Sequence, residues 1–274
     1  MYIDTHLHTI FSADGRATID EYAEKCPSLG LSALCFTEHA DMTAYSDPKS
    51  NSHDLFERGY AKFDGFREKY KDTVVLYRGV ELGEPCHLPD VTNEFLRTHE
   101  FDFILCSLHE LKGERDFYHT NYRGTDPVPH LDRYFDELIQ VTEWNGFDSL
   151  AHITYPLRYI LGREGIPLDL TRWSNSIDDV FRILIKNDKS LEVNASGLRM
   201  SYYNRTDPHL EMISRYFELG GRRVTLGSDA HEAWMLGTGL KDTAKKLRDI
   251  GFAEVTYYVK RRPVAIPIDE YIGE

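Results

Sequence analysis

The chain has 274 residues, 41% hydrophobic and 28% charged, an ordinary globular balance with enough apolar material for a sizeable core. Its formal net charge is -13 and no extended basic run appears, which disfavours a general nucleic-acid binder or a protein that docks on anionic membranes. The four scattered cysteines lack a Cys-x-x-Cys pair, no signal peptide opens the chain, and no apolar run approaches the ~18 residues that span a bilayer; a cytoplasmic protein with reduced thiols and no membrane partner is expected.

The first stretch, Met1 to His8, alternates into His6-Leu-His8. On a strand, residues two apart share a face, so both imidazoles can grip one ion. Thr18 is an N-cap with Glu21 completing a capping box, and a helix follows to about Pro27 or Gly30. Leu31 to His39 is a second strand ending in polar residues. A helix over about His53 to Tyr70 carries Phe56, Tyr60, Phe63 and Phe66 at helical spacing, a stripe that reads as core packing. Further strands are expected at Thr73–Gly83, Phe101–His109, Ser149–Ile153, Ser190–Asn194 and Arg223–His231, with helices at about 131–145, 176–187 and 208–219. The tail from Glu254 to Pro263 is strand-like, an extra strand or hairpin closing the barrel, with Lys260-Arg-Arg262 as a solvated surface.

Seven near-continuous apolar strands alternating with helices argue a parallel sheet covered on both faces. Most of these strands end in polar residues able to ligate metal, and a β/α barrel gathers its active site at that end. An open doubly wound sheet binds at one crevice and would not use six strand ends at once. The expected architecture is therefore a TIM-like barrel of seven strands, a single domain over 1–274 with 254–274 as a C-terminal strand-like extension.

The strand-end residues are His6, His8, His39, Glu81, His109, His152, Asp229 and His231, joined on the same rim by Asp14. The other histidines fall in helices or loops. Imidazoles and carboxylates without thiolates suit Zn²⁺, Fe²⁺ or Mn²⁺. Nine ligands are too many for one ion, since a catalytic Zn²⁺ typically uses three, so two or three divalent ions sharing carboxylate bridges are expected. Some of the nine can instead be hydrogen-bond partners of ligands.

His6-Leu-His8, Glu38-His39, Ser107-Leu-His109, Ala151-His152 and Gly227-Ser-Asp229-Ala-His231 resemble, in order and spacing along nearly the whole chain, the polymerase and histidinol phosphatase (PHP) superfamily. The resemblance is greatest to its stand-alone histidinol-phosphate phosphatases, which share an Asp at position 14 where other branches carry His. It implies a distorted (β/α)7 barrel with a trinuclear centre. His6, His8, Glu81 and Asp229 would hold one ion, Glu81 would bridge to a second held by His109 and His152, and Asp14, His39 and His231 would hold the third. The implied reaction is hydrolysis of L-histidinol phosphate in histidine biosynthesis, with Asp14, Glu81 and Asp229 at the catalytic centre.

Long segments follow the fourth, fifth and sixth strands, where rim loops usually carry specificity. Two of them hold Arg158 and Arg199, whose guanidinium groups match phosphate oxygens, and the resemblance places phosphate-binding arginines in these loops. Tyr118, Arg123 and Asn194 are weaker candidates for lining the substrate site, while Ser107 and Ser228 read as strand-end structure. No Asp-x-Asp-x-Thr/Val motif and no Gly-rich phosphate loop appears, which disfavours an aspartyl-phosphate route or a P-loop kinase. A small phosphate monoester is the expected ligand, with no nucleic acid, for a monomer or homodimer. The alternatives are a PHP-type phosphoesterase acting on nucleotides or other small esters, a metal-dependent amidohydrolase, and a non-catalytic metal-binding module.

Overall fold

A computed structural model describes residues 1–274. Eight strands, β1 (Ile3–Leu7), β2 (Ala33–Phe36), β3 (His39–Asp41), β4 (Val75–Gly83), β5 (Phe103–Ser107), β6 (Ser149–Leu150), β7 (Ser190–Asn194) and β8 (Val224–Gly227), pair in parallel in the order β1-β2-β4-β5-β6-β7-β8. The third, β3, pairs with β4 beyond the end of β2. It continues the path of β2 after a break at Thr37 and Glu38, so the barrel has seven strand positions. The Leu7 N–H donates to Thr37 Oγ1 (3.1 Å), and Glu38 turns away to accept from the Thr9 and Ser12 hydroxyls (2.6 and 2.5 Å). The seam between first and last strands is nearly closed: the His8 N–H donates to the Ala230 carbonyl and the Asp229 N–H to the His6 carbonyl, both at 2.9 Å.

Helices α1 (Ile19–Leu29), α2 (Met42–Ser46), α3 (Ser52–Tyr70), α4 (Pro89–Thr98), α5 (Val128–Trp144), α6 (Tyr155–Leu157), α7 (Ser174–Lys186), α8 (Leu210–Glu218), α9 (Leu240–Ile250) and α10 (Ile268–Ile272) supply the connections. The capping box at Thr18 forms: its hydroxyl accepts from the Glu21 N–H at 3.1 Å while the Glu21 carboxylate takes the Thr18 N–H at 2.7 Å. The aromatic stripe of α3 packs inward, with Phe56 and Phe63 buried. Five helices escape the sequence reading, the short α2, α6 and α10 and the longer α4 and α9. Prolines at 85 and 89 make the start of α4 look like a loop, and α9 lies between a glycine-rich turn and Gly251.

The tail is a hairpin, one of the two forms expected for it, but its place is different. Strands β9 (Glu254–Val259) and β10 (Arg262–Pro267) form a separate antiparallel hairpin, followed by α10, and add nothing to the barrel wall. The hairpin instead plugs the N-terminal floor. Tyr258 enters a small cluster with Cys35, Phe103, Leu105 and Ala151, stacks on Phe103 at 5.3 Å, and donates its hydroxyl to the Asp148 carbonyl at 3.0 Å. The two-residue turn puts Lys260 and Arg261 at φ +49° and +63°, a primed turn that usually calls for Asn-Gly. Here neighbouring carboxylates secure it. Asp102 accepts the Lys260 N–H at 3.1 Å, and the Arg261 guanidinium pairs with Asp148. Lys260, Arg261 and Arg262 are exposed as expected, and Arg261 in addition fastens the floor.

No helix is long and apolar enough to cross a membrane.

Candidate metal centre and active site

Every expected ligand converges on the C-terminal mouth of the barrel, and the centre of the arrangement is one carboxylate. Glu81, 1% exposed on β4, places Oε2 3.2 Å from His6 Nε2, His8 Nε2 and His39 Nδ1. Its other oxygen, Oε1, lies 3.1 Å from His109 Nε2 and 2.9 Å from His152 Nε2. The alternation of β1 works as anticipated: His6 and His8 face the same way with Nε2 atoms 2.9 Å apart. Asp229 Oδ1 sits 3.7 Å from His6 Nε2 and 3.5 Å from His8 Nε2. It follows β8 with φ +53°, a left-handed turn that Asp tolerates better than most residues and that aims Asp229 and His231 at the mouth. Asp14 lies between two rings, 3.0 Å from His231 Nε2 and 3.6 Å from His39 Nε2.

Tight packing holds this geometry. A methyl group at Gly227 would stand 2.3 Å from His6 Cβ and 2.5 Å from Glu192 Oε1, so β8 approaches β1 only as glycine. Glu192, fully buried on β7, meets His6 Nδ1 at 2.6 Å, which puts the ring proton on Nδ1 and leaves Nε2 as a lone pair. That lone pair faces His8 Nε2 and a Glu81 oxygen, three acceptors aimed at one point. A cation belongs there, and the sulfur-free donor set suits Zn²⁺, Fe²⁺ or Mn²⁺. Triplets of donor atoms mutually within 4.8 Å recur across the mouth: His6, His8 and Glu81; Glu81, His109 and His152; His8, His39 and His231; His6, His152 and Asp229; His39, Asp41 and His109. The clustered groups can hold several metal ions.

The electrostatics show the same affinity for positive charge, held as protons on the imidazoles when no metal ion takes their place. Burial opposes charge on His6, yet Glu192, Glu81 and Asp229 outweigh it and raise the imidazole well above its ordinary pKa. His39 is likewise buried but driven up to about 10 by Asp14, Asp41 and Glu81. Against their own burial, Glu81 is held well below the carboxylate range by His6, His109 and His39, and Asp229 by His6, His8 and His231. The mouth is a strongly negative field that favours cations.

The chain belongs to the PHP domain family. The family model matches residues 4–196. The chain is 31% identical over 254 residues to a probable histidinol-phosphatase of Thermotoga maritima, covering 91% of this chain and 93% of that one. It is 24% identical to a histidinol-phosphatase of Lactococcus lactis, covering 93% and 94%. Among solved structures, the PHP barrel here superposes on a Lactococcus lactis histidinol phosphate phosphatase complexed with zinc, L-histidinol and phosphate, with a TM-score of 0.78 at 22% identity over 96% of this chain and 98% of that one.

The remaining predicted residues divide. Arg158 and Arg199 both line a cavity of about 740 Å³ above Glu81, together with Tyr118, Tyr155, Tyr159, Asp116 and Trp234. Arg158, only 3% exposed, pairs with Asp207, donates to Asn194 Oδ1 at 3.2 Å and lies 3.4 Å from Asp229 Oδ2. Arg199 is fixed by the carbonyls of Ser228 and Asp229 at 2.7 and 3.0 Å and by Thr238 Oγ1 at 2.9 Å. Asn194 is fully buried and does not line the cavity; it stands behind Asp229, 3.3 Å from its carboxylate. Arg123 points away and pairs with Glu164 at 2.7 Å.

Sequence reasoning missed Glu192, Asp41, Asp207 and Asp116. Asp41 accepts from His109 Nδ1 at 3.0 Å, and Asp207 is fully buried, taking bonds from Arg158, Thr154 and Tyr203. Glu192 alone carried a signal: a charged residue inside an otherwise apolar strand, Ser-Leu-Glu-Val-Asn, which must find a buried partner.

Proposed function

We propose that the chain is a metal-dependent phosphomonoesterase that hydrolyses L-histidinol phosphate to L-histidinol and inorganic phosphate. The observation that carries this reading is a single buried carboxylate, Glu81, ringed by five imidazoles beneath a cavity flanked by two arginines. Its T. maritima relative bears the name of probable histidinol-phosphatase, and at 31% identity over nearly full length a shared substrate is the natural expectation.

The proposed ligand sets are His6, His8, Glu81 and Asp229; Glu81, His109 and His152; and Asp14, His39 and His231. Divalent ions in such a centre supply Lewis-acid charge and a more acidic water for in-line attack on phosphorus. The protein's own part is to position. Arg158 and Arg199 clamp the non-bridging phosphate oxygens and stabilise charge as it builds on them. Because protein acceptors already fix both guanidinium groups, little side-chain freedom is lost when substrate binds. Glu192 holds His6 in one tautomer, and buried Asp207 holds Arg158 in place. We read residues 1–274 as one catalytic unit acting in the cytoplasm.

The test is a panel at a single metal loading: histidinol phosphate, mononucleotides, sugar phosphates and bis-p-nitrophenyl phosphate. Histidinol phosphate is expected to lead by at least about tenfold in kcat/KM, or ~1.4 kcal/mol of discrimination. A lead by mononucleotides would leave only a general phosphoesterase.

A further inference from the structure

Beside Arg158 the cavity is lined by a row of tyrosines and a carboxylate. The Arg158 guanidinium lies over Tyr155, 5.2 Å from the ring centre. Tyr159 meets Tyr155 edge-on at 5.2 Å, and Tyr118 meets Tyr159 edge-on at 5.7 Å. Asp116 stands beside this wall and lines the same cavity. Its Oδ1 accepts from the Tyr118 N–H at 2.6 Å and from the Tyr155 hydroxyl at 3.1 Å. Oδ2 takes no hydrogen bond from the chain, and no Lys, Arg or His side chain pairs with the group.

The segment that carries Asp116 is pinned. Arg163 donates to the carbonyls of Tyr118 and Thr120, both at 2.5 Å, and the Phe117 N–H donates to the His109 carbonyl at 3.0 Å. One stretch of the lining thus joins a fixed carboxylate with a spare oxygen to a row of aromatic rings, with Arg158 over the Tyr155 ring and Arg163 over the Tyr159 ring at 4.9 Å. A cation is held well by a carboxylate backed by aromatic rings.

We propose that Asp116, with Tyr118 and Tyr155 as its aromatic backing, binds the cationic end of the substrate and selects phosphate esters of amino alcohols over neutral esters. This rests on the phosphomonoesterase reading above. Capping of the short turn Phe117–His119 explains the bond from Tyr118 but uses Oδ1 alone. The second free carboxylate at the mouth, Glu232, accepts only the Trp234 indole N–H at 3.2 Å and adjoins no such wall.

Asp116→Asn separates these roles, because asparagine caps as well as aspartate while losing the charge. The wild type, Asp116→Asn and Glu232→Gln are assayed on histidinol phosphate, O-phosphoethanolamine and its neutral counterpart propyl phosphate. For Asp116→Asn, kcat/KM on the two cationic esters is expected to fall at least about tenfold further than on propyl phosphate, mostly through KM. Glu232→Gln should keep the wild-type ratio. An equal loss on all three esters, or a selective loss in Glu232→Gln alone, overturns the assignment of Asp116. A wild type with no preference for histidinol phosphate overturns the substrate reading itself, and the cation site with it.

Discussion

The two ends of the barrel use buried charge in opposite ways. At the floor, Asp102 and Asp148 are answered within the protein: the Arg67 guanidinium reaches Asp102 at 2.7 Å, Arg261 pairs with Asp148, and backbone N–H groups of Arg78 and Ile104 complete them at 3.0 and 2.8 Å. At the mouth, Glu81, Asp229 and Asp14 face a ring of imidazoles whose donor atoms converge on shared points, a set completed by cations, either protons on the rings or metal ions in their place. The floor is a finished structural joint, whereas the mouth is a binding site whose stability is left to its ligand. Stability and activity should therefore separate by end.

The sharpest break of that comparison is Glu81→Gln. It removes the charge shared by five imidazoles, so turnover should fall more than about 10³-fold, given that losing a residue that merely orients a ligand costs roughly 10–100-fold. Metal content by elemental analysis should drop in parallel. Near-normal turnover would end the view that Glu81 is the shared ligand.

At the other end, Tyr258→Ala should cost about 3 kcal/mol of folding stability by emptying the floor cluster. The kcat of the folded fraction should stay at the wild-type value, so urea titration and kinetics on the same sample decide the matter. A loss of kcat with retained stability would mean that the floor reaches the chemistry.

The smallest effect refines the floor. Tyr258→Phe keeps the stacking on Phe103 but deletes the hydroxyl that bonds the Asp148 carbonyl and Ser190 Oγ at 2.9 Å. It should cost about 1 kcal/mol. A cost as large as that of the alanine variant would assign the joint to the hydrogen bonds and not to the packing.

What the sequence by itself determined was periodicity and chemistry. Period-two alternation put His6 and His8 on one face, apolar runs marked parallel strands covered on both sides, and polar strand ends marked one rim. Local signals such as the Thr18–Glu21 capping box could be read because their partners lie within one helical turn. The tertiary structure alone decided what depends on distant partners. Glu192 lies 186 residues from His6, and its role exists only because Gly227 lets β7, β8 and β1 meet. A hairpin could be read in the tail, but the place of its turn at Lys260–Arg261 could not, since that turn is secured by Asp102 and Asp148, far away in the chain, and not by turn residues of its own. Asn194, expected at the substrate site, lies behind Asp229, and Asp116, which no sequence pattern singled out, lines the cavity, for the same reason. Which side of a rim residue faces solvent is set by the closure of the barrel, and no local pattern encodes that closure.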